Sequence, residues 1–174
     1  MHVTRNQMDE AVLRNAFAAF PSGVTVVAGL IGDTPAGLTA SSFTSVSLNP
    51  PLVSVCVAHT STTWPVLRGV SHFGVSVLSY HQADLAREVA SRSAADRFNG
   101  VRWRSTEHGA VFLDGAALWL ECSLHDQLPA GDHDVALLEI HELKTFDRKR
   151  PLVFHRSRFH QIVPWTPWPD NDFG

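Results

Sequence analysis

Apolar residues recur at helical spacing near the start of the chain, where Met8, Val12, Ala16, Phe17 and Phe20 fall on one face of residues 8–20. Asn6 with Asp9 forms a capping pattern before this stretch, and Pro21 ends it. The pattern then changes. Gly23 to Leu30, Pro35 to Ser41, Thr44 to Leu48 and Leu52 to Ala58 are short β-rich runs, with Gly32-Asp33 as the turn between the first two. Trp64 to Val70 reads as a short helix and Phe73 to Leu78 as a buried strand. Ser79 with Gln82 is a capping box opening a helix whose apolar side carries Leu85 and Val89. Residues 92–110 are polar, contain glycine and give no usable periodicity. Ala117 to Leu124 and Val135 to Leu143 read as two long strands meeting near Leu128-Pro129-Ala130-Gly131. Leu152 to Phe154 and Phe159 to Val163 complete the set. Short, closely spaced strands with two or three accessory helices predict a mainly β, antiparallel barrel rather than βαβ units.

A length of 174 residues suits a single domain over 1–174, with residues 163–174 set apart as a Pro/Trp-rich tail. Fourteen Lys+Arg against seventeen Asp+Glu leave a net charge of −3. With no basic excess and no basic run, no nucleic-acid partner is expected. No apolar run is long enough to span a membrane and the start lacks a signal pattern, so no membrane association is expected. Cys56 and Cys122 lie far apart in apolar, strand-like runs. Buried free thiols are expected of both, in a reducing cytoplasm.

Chemistry-bearing residues cluster in few places. Ala36-Gly37-Leu38-Thr39-Ala40-Ser41-Ser42 is built of small and hydroxyl-bearing side chains. Such a stretch lets a flat ligand approach the backbone and offers donors to ribityl or phosphate oxygens, although a polar-faced strand pair reads the same way. Ser61-Thr62-Thr63 precedes Trp64-Pro65, a helix start that either attracts phosphate or is simply capped. In Gly131-Asp132-His133 an aspartate is placed to fix a histidine tautomer, or the three form a plain turn. Phe154-His155-Arg156-Ser157-Arg158 joins ring-stacking and pyrophosphate-binding side chains, or forms a solvated edge. Asp96-Arg97-Phe98 is equally open, and Gln82 reads as a helix cap before a ligand. His125, His133 and His141 repeat every eight residues but match no metal-binding spacing, so no metal is expected. GxGxxG, P-loop and Gly-x-Ser-x-Gly motifs are all missing from the sequence.

Taken in order, these segments resemble the short-chain flavin reductase family, the reductase components of two-component flavin-dependent monooxygenases. The resemblance runs through Phe20-Pro21-Ser22-Gly23-Val24-Thr25-Val26-Val27, Gly37 to Ser47, Pro50-Pro51-Leu52-Val53, Ser61 to Trp64 and Phe73 to Leu78. It continues in Asp96-Arg97-Phe98, Gly131-Asp132-His133 and Pro151 to Arg156, covering about residues 10–162. It implies an FMN-binding split β-barrel and a homodimer with flavin near the subunit interface. Ala36 to Ser42 would wrap the ribityl chain and ring edge, and Cys56-Val57-Ala58 would bond the pyrimidine side. Ser61-Thr62-Thr63 would take phosphate, with Gln82 and Arg97 also assigned to the flavin. His133 and Phe154-His155-Arg156-Ser157 would receive the nicotinamide nucleotide. Ala136-Leu137-Leu138-Glu139 departs from the family's glycine after the histidine turn, and Leu138 is expected to narrow the nucleotide pocket. Val89 replaces a phenylalanine, which reads as a packing difference.

The implied reaction is hydride transfer from NADH or NADPH to FMN or FAD, with the reduced flavin passed to a partner monooxygenase. His133 would position the nicotinamide and Arg156 would neutralise phosphate charge. Two other readings stand beside it. One is a non-catalytic flavin-binding electron carrier, which would have no use for His133 and Arg156. The other is a split-barrel oxidase of a substrate such as pyridoxamine phosphate, whose phosphate-binding Arg/Lys set is not evident.

Overall fold

The computed structural model describes residues 4–164. Strands dominate, as the alternating runs require. In chain order they are β1 (Ser22–Gly23), β2 (Thr25–Ile31), β3 (Thr34–Ala40), β4 (Thr44–Leu48), β5 (Pro51–Ala58) and β6 (Phe73–Val77). After them come β7 (Trp103–Ser105), β8 (Val111–Leu113), β9 (Leu118–Ala130), β10 (His133–Thr145), β11 (Leu152–His155) and β12 (Arg158–Gln161). The helices are α1 (Glu10–Phe17), α2 (Trp64–Leu67) and α3 (Ala83–Ser91).

Seven strands form one antiparallel sheet in the order β3-β2-β6-β9-β10-β5-β4, and β1, β11 and β12 form a smaller sheet beside it. The large sheet curls so that β3 approaches β5. Its inner face is a core of Val27, Leu38, Val55, Val57, Phe73, Val75, Leu120 and Leu138, closed at one end by Trp64 and Leu67 of α2. Because successive side chains alternate faces, Val26 and Ala28 point the other way. There they join Leu78, Ala86, Val89 and Leu152 in a second core under α3 and β11. β2 is thus buried on both faces, which accounts for its unbroken apolar run.

Several predicted boundaries shift. The first helix ends at Phe17, three residues early, and Asp9 caps it by accepting the Val12 N–H at 2.8 Å. No residue of α1 is buried, and Phe17 and Phe20 are 70% and 77% exposed, so the apolar face read from the sequence has no partner among the described residues. The run from Gly23 breaks at Val24 into β1 and β2, which serve different sheets. Leu128 to Ala130 belong to β9 rather than to the turn, which tightens to Gly131-Asp132 with Gly131 at φ +71°. The unassigned stretch holds β7, paired with β8. The tail lies outside the described residues from 165 onward.

Candidate functional site

Strand β4 pairs with β5 only as far as Ser54, whereas β10 runs beside β5 up to Ala58. The edge of Cys56–Ala58 that β4 would have covered is therefore open. Ser42, in the connection leaving β3, turns into this gap. Its hydroxyl accepts the Cys56 N–H at 2.8 Å and donates to the Cys56 carbonyl at 3.3 Å. By strand alternation the Ala58 N–H points to the same side, two residues further on. The result is a cleft of about 330 Å³ lined by Leu38, Thr39, Ala40, Ser41, Ser42, Cys56, Val57, Ala58, Ser61 and His133. Ten residues from four separate stretches converge, all of them singled out from the sequence.

A recess of about 170 Å³ continues from it, sharing Thr39, Ala40 and Ser41 and walled by Val24, Ala86, Ala90, Phe154 and Phe159. Phe154 thus stands beside the cleft. His155 behind it lies against His160, their rings tilted by 57° with centroids 5.8 Å apart. Arg156 and Ser157 form the two-residue turn of the β11–β12 hairpin and face α1 instead.

Ala36 and Gly37 lie on β3 but do not line the cleft. Gly37 is required by packing: a Cβ there would sit 2.6 Å from the Val27 carbonyl and 2.9 Å from the Phe98 ring. Thr62 is exposed, and Thr63 is buried at the start of α2. The Ser61 hydroxyl accepts the Trp64 N–H at 3.1 Å. Gln82 is placed elsewhere. Its carbonyl oxygen accepts the Ser79 N–H at 2.9 Å and its amide donates to the Asp114 carbonyl at 3.0 Å, which makes it a cap and a brace.

Arg97 reaches under the cleft from the polar loop. Its Nη1 donates to the Gly37 carbonyl at 2.5 Å and to the Thr63 hydroxyl at 3.1 Å, while its Nε is buried with no partner among the described residues. Burial pulls its pKa down. No carboxylate among the described residues neutralises it. A partly buried cation with an orphaned donor, bonded to the Thr63 hydroxyl, fits an anionic ligand group. The cleft's remaining chemistry is small side chains, hydroxyls and an open strand edge, which fits a flat, phosphorylated molecule such as a flavin nucleotide.

His133 sits at the rim with its Nδ1 2.7 Å from the Asp132 carboxylate, and its side chain is 43% exposed. The hydrogen bond to His133, and then its charge, holds the Asp132 carboxyl below the usual aspartate range. This pairing leaves Nε2 free to meet a ligand. His125 bonds Glu139 and His141 bonds Ser123, so the three evenly spaced histidines have separate partners. Among the described residues no three metal-ligating side chains converge.

Two expectations are corrected. Cys56 is exposed at the open edge of β5 rather than buried, while Cys122 is buried. Leu138 is fully buried in the barrel core and does not narrow the cleft. One group escaped the sequence reading. Trp64 Nε1 donates to Gln127 at 3.0 Å, Gln127 donates to Asp134 at 2.7 Å, and His59 Nε2 lies 3.1 Å from Asp134. The chain ties the 59–64 loop to the β9–β10 hairpin that carries His133. Its members are spread over 75 residues and share no motif, so only the strand register reveals them.

Residues 17–163 match the flavin reductase like domain model. The chain belongs to that family. It is 43% identical to the actinorhodin polyketide dimerase of Streptomyces coelicolor over 152 residues, covering 87% of this chain and 85% of that protein. The structure of the NADH:FAD oxidoreductase SgcE6 of Streptomyces globisporus, in complex with NAD and FAD fragments, superposes with a TM-score of 0.83 at 38% identity. That match covers 94% of this chain and 96% of the other. BorF, the flavin reductase component of a bacterial two-component tryptophan halogenase, superposes at 0.81 with 36% identity, covering 90% and 100%. The fold of this flavin reductase family member is the split barrel expected from its sequence.

Proposed function

We propose that this protein is an oxidoreductase that takes hydride from NADH or NADPH and reduces FMN or FAD in the cleft between β3 and β5. The observation that carries the reading is the convergence of Thr39–Ser42, Cys56–Ala58, Ser61 and His133 around one cleft, with Arg97 bonded to Gly37 and Thr63, which adjoin that lining in sequence. When both are bound, the reduced nicotinamide supplies hydride from its C4 to the flavin N5. The protein's part is to hold two flat rings in contact, since the cofactors bring the reactive atoms.

Each residue's role follows from its placement. Ala40, Ser41 and Ser42 present little bulk, so a ring can lie against the backbone. The Ala58 N–H offers a donor at the open edge of β5 to a carbonyl of the ring. Ser61 and Thr63 face a phosphate, and Arg97 behind Thr63 supplies the positive charge. His133, its tautomer set by Asp132, orients the nicotinamide amide from the opposite rim. Phe154 and Arg156 extend the surface for the rest of the dinucleotide. No residue here is assigned a proton transfer.

The named activity of SgcE6 supports NADH and FAD as the pair to test first. BorF's role as a component of a two-component system supports a separate oxygenase that receives the reduced flavin. A homodimer is the expected assembly: edge strand β4 leaves Leu48 97% exposed, and a second copy covering it would also complete the wall of the open cleft. The test is NADH and NADPH oxidation by the purified protein, each with FMN, FAD or no flavin. Turnover that requires added flavin supports the reading. Flavin binding without nucleotide oxidation would favour the electron carrier.

A further inference from the structure

The hairpin that carries His133 outruns its neighbours in the sheet. β6 stops pairing with β9 at Cys122, β5 stops pairing with β10 at His133, and Leu128 to Asp132 are exposed. A two-stranded tip of this kind fixes its own position only weakly. We infer that Gln127, Asp134 and His59 are positioning residues that hold His133 in place over the flavin cleft, acting through the hairpin rather than on the nucleotide. The inference rests on the flavin reductase reading above and adds three residues that do not line the cleft.

Ala136 and Leu138 point into the barrel core, so by alternation Asp134 faces the same way, at the end that Trp64 closes. Both of its carboxylate oxygens are engaged there. Oδ2 accepts from the Gln127 amide at 2.7 Å, and Oδ1 lies 3.1 Å from His59 Nε2. The Gln127 oxygen in turn accepts from Trp64 Nε1 at 3.0 Å. The ends of the chain fix the direction of every link. An indole nitrogen only donates and a carboxylate only accepts, so the Gln127 amide has one orientation and His59 carries a proton on Nε2. The anchor is Trp64, whose side chain is buried in the core.

His59 grips the residues on both sides of His133. Its backbone N–H donates to the Asp132 carbonyl at 3.0 Å, and its ring reaches the Asp134 carboxylate. The same loop continues from Ala58 through Ser61 and Thr63 to Trp64, the stretch proposed above to meet the flavin ring and phosphate. The groups that would hold the flavin and the imidazole that would orient the nicotinamide thus share one hydrogen-bonded frame. A misplacement of about 1 Å far from the reacting atoms is enough to slow a reaction that depends on the alignment of two rings.

The test breaks the chain and then repairs it. Gln127→Glu sets a second carboxylate against that of Asp134, and Asp134→Asn leaves two donors facing each other at one link. Together the two substitutions restore the chain, because position 127 then accepts from both neighbours while the oxygen at 134 still accepts from His59. At saturating FAD each single substitution should raise KM for NADH about three- to tenfold with little change in FAD affinity, and the pair should recover most of the loss. In a His133→Ala background Asp134→Asn should add nothing, as a residue acting only through His133 requires. In the flavin-free protein the His133 Cε1–H NMR resonance, identified by its loss in His133→Ala, should move in Gln127→Glu and return in the paired variant. Single variants with the wild-type KM and an unmoved resonance, or effects that simply add to that of His133→Ala, would overturn the inference. A wild type that oxidises no NADH with any flavin would remove the reductase reading and this role with it, whichever way the resonance moved.

Discussion

Arg97 and Thr63, 34 positions apart in sequence, are joined by a 3.1 Å hydrogen bond at the base of the cleft. The guanidinium also bonds the Gly37 carbonyl, so one cation links the wall formed by β3 to the loop expected to take phosphate. With its Nε buried and unpaired, it carries a desolvation cost that a bound phosphate would offset. Arg97→Gln should therefore weaken FMN binding by about tenfold or more while riboflavin, which lacks phosphate, weakens less. Fluorescence titration with both flavins measures the difference. Equal weakening would place Arg97 in scaffolding alone.

His133→Ala removes the rim imidazole without touching the hydroxyl-rich wall opposite. KM for NADH should rise several-fold, on the order of one lost hydrogen bond, and flavin binding should persist. Steady-state kinetics identical to wild type would remove His133 from the nucleotide site.

The hairpin turn offers a stability test. Ser157 adopts φ 61°, a conformation that costs an L-residue about 1–2 kcal/mol and glycine far less. Ser157→Gly should raise the thermal midpoint by about 2–4 °C for a chain of this size. A lowered midpoint would mean that the serine side chain contributes more than its backbone loses.

The two thiols should behave oppositely. Burial, helped by the neighbouring Glu121 charge, pushes the Cys122 thiol up to about 12. A pKa raised in the folded state means the folded form retains its proton where the unfolded form has lost it. The associated stability is complete below the ordinary thiol range and declines as pH rises from there towards about 12. Between about pH 9 and 11, wild type should lose stability relative to Cys122→Ala by about 1.4 kcal/mol per pH unit. Urea unfolding of both proteins across that range measures it. At neutral pH a thiol reagent should label Cys56 in the native protein and both cysteines only after unfolding.

The barrel was legible in the sequence because its strands alternate or run apolar and its turns carry glycine and asparagine or aspartate. The β7–β8 hairpin was not, because Trp103–Ser105 is short and charged and only Val111–Leu113 is buried. Of the cleft residues, Leu38–Ser42 and Ser61 are legible because small residues and hydroxyls cluster there and His133 because Asp132 precedes it, whereas Cys56–Ala58 follows only from the family resemblance. The Ser79–Gln82 spacing was legible as a capping box, and Gln82 caps as that spacing expects; its assignment to the flavin came only from the family resemblance. The exposure of Cys56 depends on where β4 stops pairing with β5, a register fact with no local signature. For the same reason the Trp64–Gln127–Asp134–His59 chain could only emerge from the fold.

The most direct test is a crystal structure of the protein with FAD bound. The isoalloxazine edge should lie along Thr39–Ser42 and meet the Ala58 N–H at the edge of β5, with the flavin phosphate nearest the ribityl chain at Ser61–Thr63 beside Arg97. Density for the flavin in another part of the molecule, with that cleft empty, would contradict the account.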